Sequence, residues 1–486
     1  MPTLAESFFL LPMTILAIFS CIPITIKVMR GNYEPSNQQT LMISVFGIIL
    51  SGAAVILQGQ GASQTVFSGA LIFDKMAIYS DIGILIISGF TLFLSYSGVN
   101  SKGESFAEHV FLILMSAVGM LTMTSAGDLI VSFVGLEIMS VALYVLIGLG
   151  HEQQLSKEAA FKYFILGSFA SAIFLYGVAL LFGTTGSTAL STIATQAVVL
   201  SATSRLFTLG IVLLIAGIGF KVSLFPFHAW TPDVYQGAPT SISAFMATGV
   251  KLVMFTLLLR LASLHILSGN GSLIVVLQVL AVLTMTFGNI TAIMQDNIKR
   301  LLAYSSIAHA GYIMVGIIVT ATTRNSDAGA ATLFYLLVYS VMNIGAFAVV
   351  NVFEKAERGN LSVSDYGGLG FAYPMLGVAF STFMLSLAGI PPTGGFIGKF
   401  YIFAAAIKDG YIALAIFGVI NSLLSVYYYL RVLIYLYMKE QEYEVCPTKG
   451  FSSRFVIVAT MALILIMGIA STPFYEPAMK SVMALF

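Results

Sequence analysis

Long apolar segments separated by short polar connections recur along the whole 486-residue chain. About 20 apolar residues are enough for a helix to cross the hydrocarbon core of a bilayer. Fourteen segments reach that length, which predicts an all-α polytopic membrane protein with about 14 transmembrane helices. The predicted spans cover residues 8–29, 40–58, 76–97, 108–125, 129–149, 158–183, 205–236, 239–263, 273–294, 301–320, 328–352, 372–408, 410–437 and 454–474.

Proline interrupts two of these spans. The seventh contains Pro226 and Pro232, and the twelfth contains the pair Pro391-Pro392. Because proline lacks a backbone donor and clashes with the preceding turn, both helices are predicted to break. Broken backbone persists at membrane depth only where protein or a water-filled cavity shelters it.

The two interrupted spans lie five spans apart, so they cross the membrane in opposite directions. Paired interrupted helices in two halves of a chain are the pattern of an inverted-topology repeat. We therefore predict two inverted five-helix repeats, each with a broken helix. The predicted domains are an N-terminal three-helix addition over 1–107, a first repeat over 108–263, a second repeat over 264–437, and a loop with the last span over 438–486.

Four ionisable side chains fall inside apolar spans of a chain that is only 9% charged: Glu137, Lys221, Lys251 and Lys399. A charge at the bilayer centre costs about 2.5–3.5 kcal/mol on insertion scales, and such residues mark ion or substrate paths. Lysine changes its protonation state readily when it is buried, which suits a proton carrier. The pattern predicts a proton or cation route.

Each candidate also has a structural interpretation. Glu137 either pairs with a lysine for packing alone or modulates the proton affinity of Lys221, since a nearby opposite charge favours the protonated lysine. Lys399 could instead reach an interface by snorkelling. Lys162 lies near one end of the sixth span and serves either as an anchor or in transfer. Histidine as a residue type titrates near neutral pH, so His309 either bridges the lysines of the two halves or is a hydrogen-bonded core residue.

Composition excludes several classes of function. The formal charge is +1 and no basic face is evident, which argues against nucleic-acid binding. Cys21 and Cys446 are too few for an iron–sulfur cluster, which takes about four cysteines. No metal-binding or nucleotide-binding motif is present either. We expect no cofactor in this chain, so any redox chemistry belongs to partner subunits.

Lysine and arginine are distributed unevenly between the two sets of alternate loops, eleven against six. The richer side is cytoplasmic by the positive-inside rule, which predicts that both termini lie outside. The richer set is Lys27, Arg30, Lys102, Lys157, Lys299, Arg300, Lys355, Arg358, Lys439, Lys449 and Arg454, and the poorer set is Lys75, Arg205, Arg260, Arg324, Lys408 and Lys480.

Four stretches of the sequence form a distinctive combination: Gly135–Glu137, Ala160–Ser171, Lys221–Trp230 and Lys299–Tyr312. Together they resemble the antiporter-like subunits of respiratory complex I, over roughly residues 75–435. Within that family the chain is most similar to the N type of the bacterial NADH-quinone oxidoreductase. Lys399 stands where the M type has a glutamate, and no lateral amphipathic helix of the L type follows the fourteenth span.

The resemblance implies a proton-pumping subunit of the membrane arm, that is, a non-redox subunit of a proton-translocating NADH:quinone oxidoreductase. In the family, the residues matching Glu137 and Lys221 form a modulating pair. The residue matching Lys251 is the central relay, and the residue matching Lys399 leads to the periplasmic exit. A sixth-span lysine of the N type matches Lys162.

The resemblance also implies which cofactors and partner subunits accompany the chain and in which membrane it lies. NADH, FMN, iron–sulfur clusters and quinone are expected in partner subunits of the complex. The partners are other membrane-arm subunits, including the M-type subunit and small membrane subunits, within the bacterial inner membrane. Chloroplast counterparts are similar as well, so an organelle origin stays open. The alternative function is that of a subunit in a multisubunit sodium/proton antiporter, which would use the same lysines.

Overall fold

The structure is a computed structural model that describes residues 4–29, 36–102, 105–149, 154–267, 269, 271–323, 325–354, 362–440, 447 and 450–485. Within that part, thirteen helices are long and apolar enough to cross a membrane. The predicted twelfth span is absent from that count because it consists of two shorter halves, Pro374–Ala388 and Gly394–Lys408. With it, the predicted fourteen spans are confirmed.

The spans follow the predicted boundaries to within about five residues, with the largest differences at the ends of the third, sixth and fourteenth. In chain order they are Leu11–Met29, Asn37–Gln58, Lys75–Lys102, Ala107–Thr124, Leu129–Gly148, Gln154–Thr185, Arg205–Val222 with Thr231–Gly237, Thr240–Ser263, Gly271–Ile293, Ile298–Thr323, Ser326–Phe353, Pro374–Ala388 with Gly394–Lys408, Ile412–Met438 and Phe451–Ile469.

Several short elements accompany the spans. A hairpin follows the second span, with strands Gln64–Val66 and Leu71–Phe73 paired antiparallel. It was not predicted, because three-residue strands carry too little sequence pattern to be recognised. The short helices are Leu4–Phe9, Leu190–Thr203, the 3₁₀ turn Val363–Tyr366, Leu369–Ala372 and Thr472–Met483.

Three spans form the centre of the molecule. The eighth, tenth and eleventh spans are almost completely enclosed by other helices, whereas most residues of the first and second face outward. A helix that is apolar all round is suited to such an enclosed position. The predicted candidates Lys251 and His309 lie on two of these enclosed helices, so water reaches them only through the protein.

Both predicted helix breaks are present and share one geometry. The first half of the seventh span ends at Ser223, and the first half of the twelfth ends at Gly389, each with positive φ. In both cases the amide of the next residue donates a hydrogen bond to the carbonyl five residues earlier. Leu224 N–H donates to the Gly219 carbonyl at 2.8 Å, and Ile390 N–H donates to the Leu385 carbonyl at 3.0 Å. This is the Schellman arrangement of a helix C-terminus. A proline follows each positive-φ residue by three positions.

Two basic residues that the charge count places in loops are buried inside the protein. Arg260 is inside the eighth span and buried, where its guanidinium binds both carboxylate oxygens of Asp74 at 2.6 and 3.1 Å. Lys299 is buried as well and donates to the Ala238 carbonyl at 2.7 Å. Distant carboxylate and carbonyl partners make this burial possible, and loop counting cannot reveal them. Arg30, Arg324, Lys355, Arg358, Cys446 and Lys449 lie outside the described residues.

The twelfth span depends on close contact between its two halves at Gly395. A Cβ atom built there would lie 1.9 Å from the Ser386 carbonyl oxygen. We expect Gly395→Ala to destabilise the protein by about 1–3 kcal/mol, because overpacking forces the backbone to shift. The measurement is thermal unfolding of the purified protein in detergent. Gly183→Ala, where a Cβ meets nothing within 4 Å, is the matched control and should leave the unfolding temperature unchanged.

Candidate functional site

Three lysine ammonium groups lie inside the helical core. Lys221, Lys251 and Lys399 are 2%, 1% and 4% exposed. Within the part of the chain that the structure describes, none of them has a carboxylate within 4.0 Å, although several other lysines do. The lysines with such a partner are Lys27, Lys162, Lys299, Lys408 and Lys480.

Lys221 lies in the last turn before the break of the seventh span. Its ammonium donates to the Ser140 hydroxyl at 2.8 Å and to the Tyr144 hydroxyl at 3.4 Å. It also lies 5.1 Å from the centre of the Tyr163 ring, within cation–π distance. The helix C-terminus adds a partial negative charge that favours a cation there.

Glu137 lies one turn before Ser140 on the fifth span. Its Oε1 atom is buried and has no hydrogen-bond partner among the described residues. Its carboxylate and the Lys221 ammonium are more than 4.0 Å apart, since no ion pair joins them, and Lys221 bonds to Ser140 instead. The modulating pair therefore stays a prediction, with Ser140 as the lysine's partner in this conformation.

Lys251 follows a π-helical turn, Met246–Val250, in the middle of the eighth span. π-Helical turns inside α-helices are frequent at functional sites. The Lys251 ammonium donates to the backbone carbonyl of Ser306 on the tenth span. The Tyr339 ring lies 5.5 Å from the ammonium, and its hydroxyl donates to the Ser306 hydroxyl at 2.8 Å.

His309 lies one turn after Ser306 and carries a partner on each ring nitrogen. Nδ1 is 2.6 Å from the Tyr335 hydroxyl and Nε2 is 3.2 Å from the Tyr429 hydroxyl. The Tyr429 hydroxyl also bonds to Ser305. A neutral imidazole donates from one nitrogen and accepts at the other, so the chain Tyr335–His309–Tyr429–Ser305 can reverse its direction as a unit.

Lys399 lies in the second half of the twelfth span and reaches back to the end of the first half. Its ammonium donates to the Leu387 carbonyl at 2.9 Å, the Ala388 carbonyl at 3.3 Å and the Ser422 hydroxyl at 3.0 Å. The Tyr312 ring lies 5.0 Å from the ammonium, and its centre is 5.6 Å from the centre of the His309 ring. His309 therefore lies between the surroundings of Lys251 and Lys399.

All acceptors described for the three lysines are neutral oxygens. A lysine that is bound to hydroxyls and carbonyls can release its proton without leaving a carboxylate unpaired, and hydroxyls both donate and accept.

The space beside Lys221 is aromatic: Trp230 stacks on Tyr163 at 4.6 Å and meets Tyr235 edge-on at 6.2 Å. Within the described residues, no direct hydrogen bond links this aromatic group to Lys251.

Lys162 lies apart from this buried row. It forms ion pairs with Glu158 at 2.7 Å and with Asp233 at 2.9 Å, and its side chain is 39% exposed. Asp233 is shared with Arg300 at 2.6 Å. This cluster joins the sixth span, the second half of the seventh and the start of the tenth.

The sequence interpretation missed the hydroxyl groups of the site. Tyr144, Tyr335 and Tyr339 lie inside apolar spans, which is an unusual place for a hydroxyl and the only sequence signal available. Their role depends on partners from other helices, so spacing along one helix could not identify it. Ser140 and Ser306 give no signal at all, since serine is common in helices of membrane proteins.

The Tyr429 hydroxyl is a testable element of the site. We expect Tyr429→Phe to lower the free energy of unfolding by about 1–3 kcal/mol, because Ser305 and His309 both lose a buried partner. Thermal unfolding in detergent measures the effect. Tyr427→Phe, on a side chain that is 61% exposed, is the matched control. Equal unfolding temperatures for the two variants would contradict the assignment.

Comparison with known proteins places the chain in a family. A family model described as NADH:quinone oxidoreductase/Mrp antiporter, TM, matches residues 126–425. NADH-quinone oxidoreductase subunit N of Bdellovibrio bacteriovorus is 47% identical over 99% of both chains. The subunit N of Rhodospirillum rubrum is 36% identical over 98% of this chain and 96% of its own.

Two solved structures are also similar to this chain over nearly its whole length. A chain of respiratory complex I from Thermus thermophilus, solved with bound aureothin, matches with a TM-score of 0.81 and 32% identity over 96% of this chain and 98% of its own. A chain of the Mrp complex from Dietzia sp. DQ12-45-1b has a TM-score of 0.85 over 99% and 98%, but at 19% identity it shows the fold alone. The chain belongs to the NADH-quinone oxidoreductase subunit N family, the N-type antiporter-like subunits of respiratory complex I.

Proposed function

We propose that this chain moves protons across the membrane as a membrane-arm subunit of NADH-quinone oxidoreductase. The observation that carries the proposal is the row of buried lysines with neutral acceptors. Relatives with full-length similarity are named as subunits of that enzyme, which favours this function over a sodium/proton antiporter. The enzyme's NADH oxidation and quinone reduction take place in other subunits, which hold FMN, the iron–sulfur clusters and the quinone.

The proposed path runs from Lys221 through Lys251 to Lys399. Lys221 passes a proton through water to Lys251. Lys251 passes it by way of the Ser306 region and His309 to Lys399, which releases it to the outside. The hydrogen bonds of His309 to Tyr335 and Tyr429 support the bridging step, because they hold both ring nitrogens in one polar chain.

Glu137 is the proposed modulator. When its carboxylate approaches Lys221, it holds the proton there, and when it withdraws, Lys221 keeps only hydroxyl and ring contacts. Each proton that moves against about 100 mV stores roughly 2.3 kcal/mol. A charge interaction at about 4 Å is worth about 4 kcal/mol even at an effective dielectric of 20, so a change of pairing is large enough to drive the step.

Lys162 is proposed to supply protons from the cytoplasmic side rather than to act within the row. Its ion pairs with Glu158 and Asp233 support this, because a shared, half-exposed cluster can exchange protons with water. Arg300 in the same cluster is a fixed positive charge, since guanidinium does not deprotonate in proteins.

The two inverted repeats and the membrane orientation are part of the proposal. The matching C-termini at Ser223 and Gly389, each followed by a proline after three residues, support repeats over 108–263 and 264–437. The positive-inside count supports periplasmic termini in a bacterial inner membrane. In that setting Lys399 delivers protons to the periplasm. The M-type subunit and small membrane subunits are the proposed neighbours.

Replacement of the central lysine tests the proposal. In the assembled complex, we expect Lys251→Ala to abolish proton transfer through this subunit and to slow quinone-coupled NADH oxidation by tenfold or more, since the path loses its centre. Proton uptake and NADH oxidation are measured on the reconstituted complex in liposomes. Oxidation of NADH by an artificial acceptor should stay unchanged, because the redox subunits are untouched.

The control is Lys480→Ala, which removes a lysine that is 69% exposed at its side chain. It should pump like the unaltered complex. Normal pumping by Lys251→Ala would show that the proposed path is wrong.

A further inference from the structure

Spans three and eight are joined by a line of hydroxyl pairs that the proposed path does not use. The Ser80 and Thr256 hydroxyls are 3.1 Å apart, and Ser95 donates to Ser241 at 2.9 Å. The first pair lies near one end of the interface and the second near the other. Because the residue numbers rise on one helix as they fall on the other, the two helices run antiparallel.

The same register places Ser88 opposite Thr248, midway between the two pairs. The Ser88 hydroxyl is fully buried and has no hydrogen-bond partner among the described residues. Such an orphan group costs about 1–3 kcal/mol unless a water molecule satisfies it. Thr248 belongs to the π-helical turn, and Lys251 follows it by three residues. The unsatisfied hydroxyl therefore lies at the depth of the central lysine.

A buried carboxyl group lies next to this line. Asp81 follows Ser80 on span three, is 4% exposed, and accepts a hydrogen bond from the Thr124 hydroxyl. The charged groups that act on it are Asp74, the residue before span three, and Arg260 on span eight. These two bind each other through two hydrogen bonds, and Arg260 also donates to the Thr124 carbonyl at 3.0 Å.

Asp81 therefore resembles the three lysines: it is buried, and it has a neutral hydrogen-bond partner instead of an opposite charge. Within the described residues no cation lies within 4.0 Å of its carboxylate, and its partner is a neutral hydroxyl. A carboxyl group of this kind can gain or lose a proton without breaking an ion pair. Span three begins at Lys75 and span four ends at Thr124, and both of these ends face outside in the predicted orientation. Asp81 therefore lies in the outer half of the membrane in that orientation.

We propose that the interface between spans three and eight is a second proton path, in which Lys251 exchanges protons with Asp81. The Lys251 ammonium gives its proton to water beside Ser88 and becomes a neutral amine. The proton passes along Ser80 and Thr256 to the Asp81 carboxylate, which becomes a carboxylic acid and then releases it outside. This inference rests on the proposed function, because it needs Lys251 to carry protons.

Asp81→Asn in the assembled complex is the primary test. Asparagine has the size of aspartate and keeps an acceptor for Thr124, but it cannot bind the proton. We expect fewer protons moved per NADH oxidised in liposomes, and the loss of a protonated-carboxyl band in the infrared difference spectrum between the reduced and oxidised complex. Asp81→Glu should restore both. Ser88→Val, which fills the proposed water position with methyl groups, should also lower the proton yield.

Thr91→Val is the matched control, since Thr91 is equally buried on the same helix but its hydroxyl donates to the Ile87 carbonyl of its own helix at 2.8 Å. It should pump normally. If Asp81→Asn pumps normally and keeps the infrared band while Lys251→Ala does not pump, this inference is overturned and the proposed function stands. If Lys251→Ala also pumps normally, both are overturned.

Discussion

An ammonium group inside a bilayer must find its hydrogen-bond acceptors in the protein, because the surrounding hydrocarbon offers none. The arrangement of this fold follows from how that requirement is met. Lys221, Lys251 and Lys399 use hydroxyl and carbonyl oxygens, whereas the lysines nearer the helix ends use carboxylates. A carboxylate partner would fix the charge, but a neutral partner leaves the proton free to move. We propose that the same distinction separates the three lysines of the transfer row from the lysines outside it.

The helix breaks provide part of those acceptors. An intact α-helix uses its carbonyl groups internally, and only the last turn leaves them free. The break after Ala388 frees the carbonyls that bind Lys399, and the break after Val222 places Lys221 at a negative helix end. Gly395 allows the second half of the twelfth span to pass close enough for this contact. The prolines therefore serve the chemistry as well as the topology.

Much of this was predictable from the sequence. Fourteen spans follow from hydropathy, because the bilayer sets the length of each apolar segment. Pro226 and Pro392 identify both breaks, since proline acts on its own helix. The buried positions of Lys221, Lys251 and Lys399 follow from their distance to the nearest loop. Each of these inferences uses information that is local in the chain.

Contacts between distant helices were not predictable. The burial of Arg260 near the end of the eighth span depends on Asp74, which lies 186 residues away in the chain. Lys162 was grouped with the transfer residues, but its place in an ion-pair cluster depends on Asp233 from another span. The π-helical turn before Lys251 has no sequence pattern that distinguishes it from an α-helix.

The central claim is that protons leave through the buried lysine row. The most direct measurement is time-resolved proton release on the outer side of liposomes that contain the complex with Lys399→Met, after a single turnover with NADH. Methionine is an unbranched side chain one atom shorter than lysine, and it has no ionisable proton. The neutral-acceptor row predicts that the single turnover of electron transfer is slower but still completes, while the release from this subunit is lost. Release with the rate and yield of the unaltered complex would contradict it.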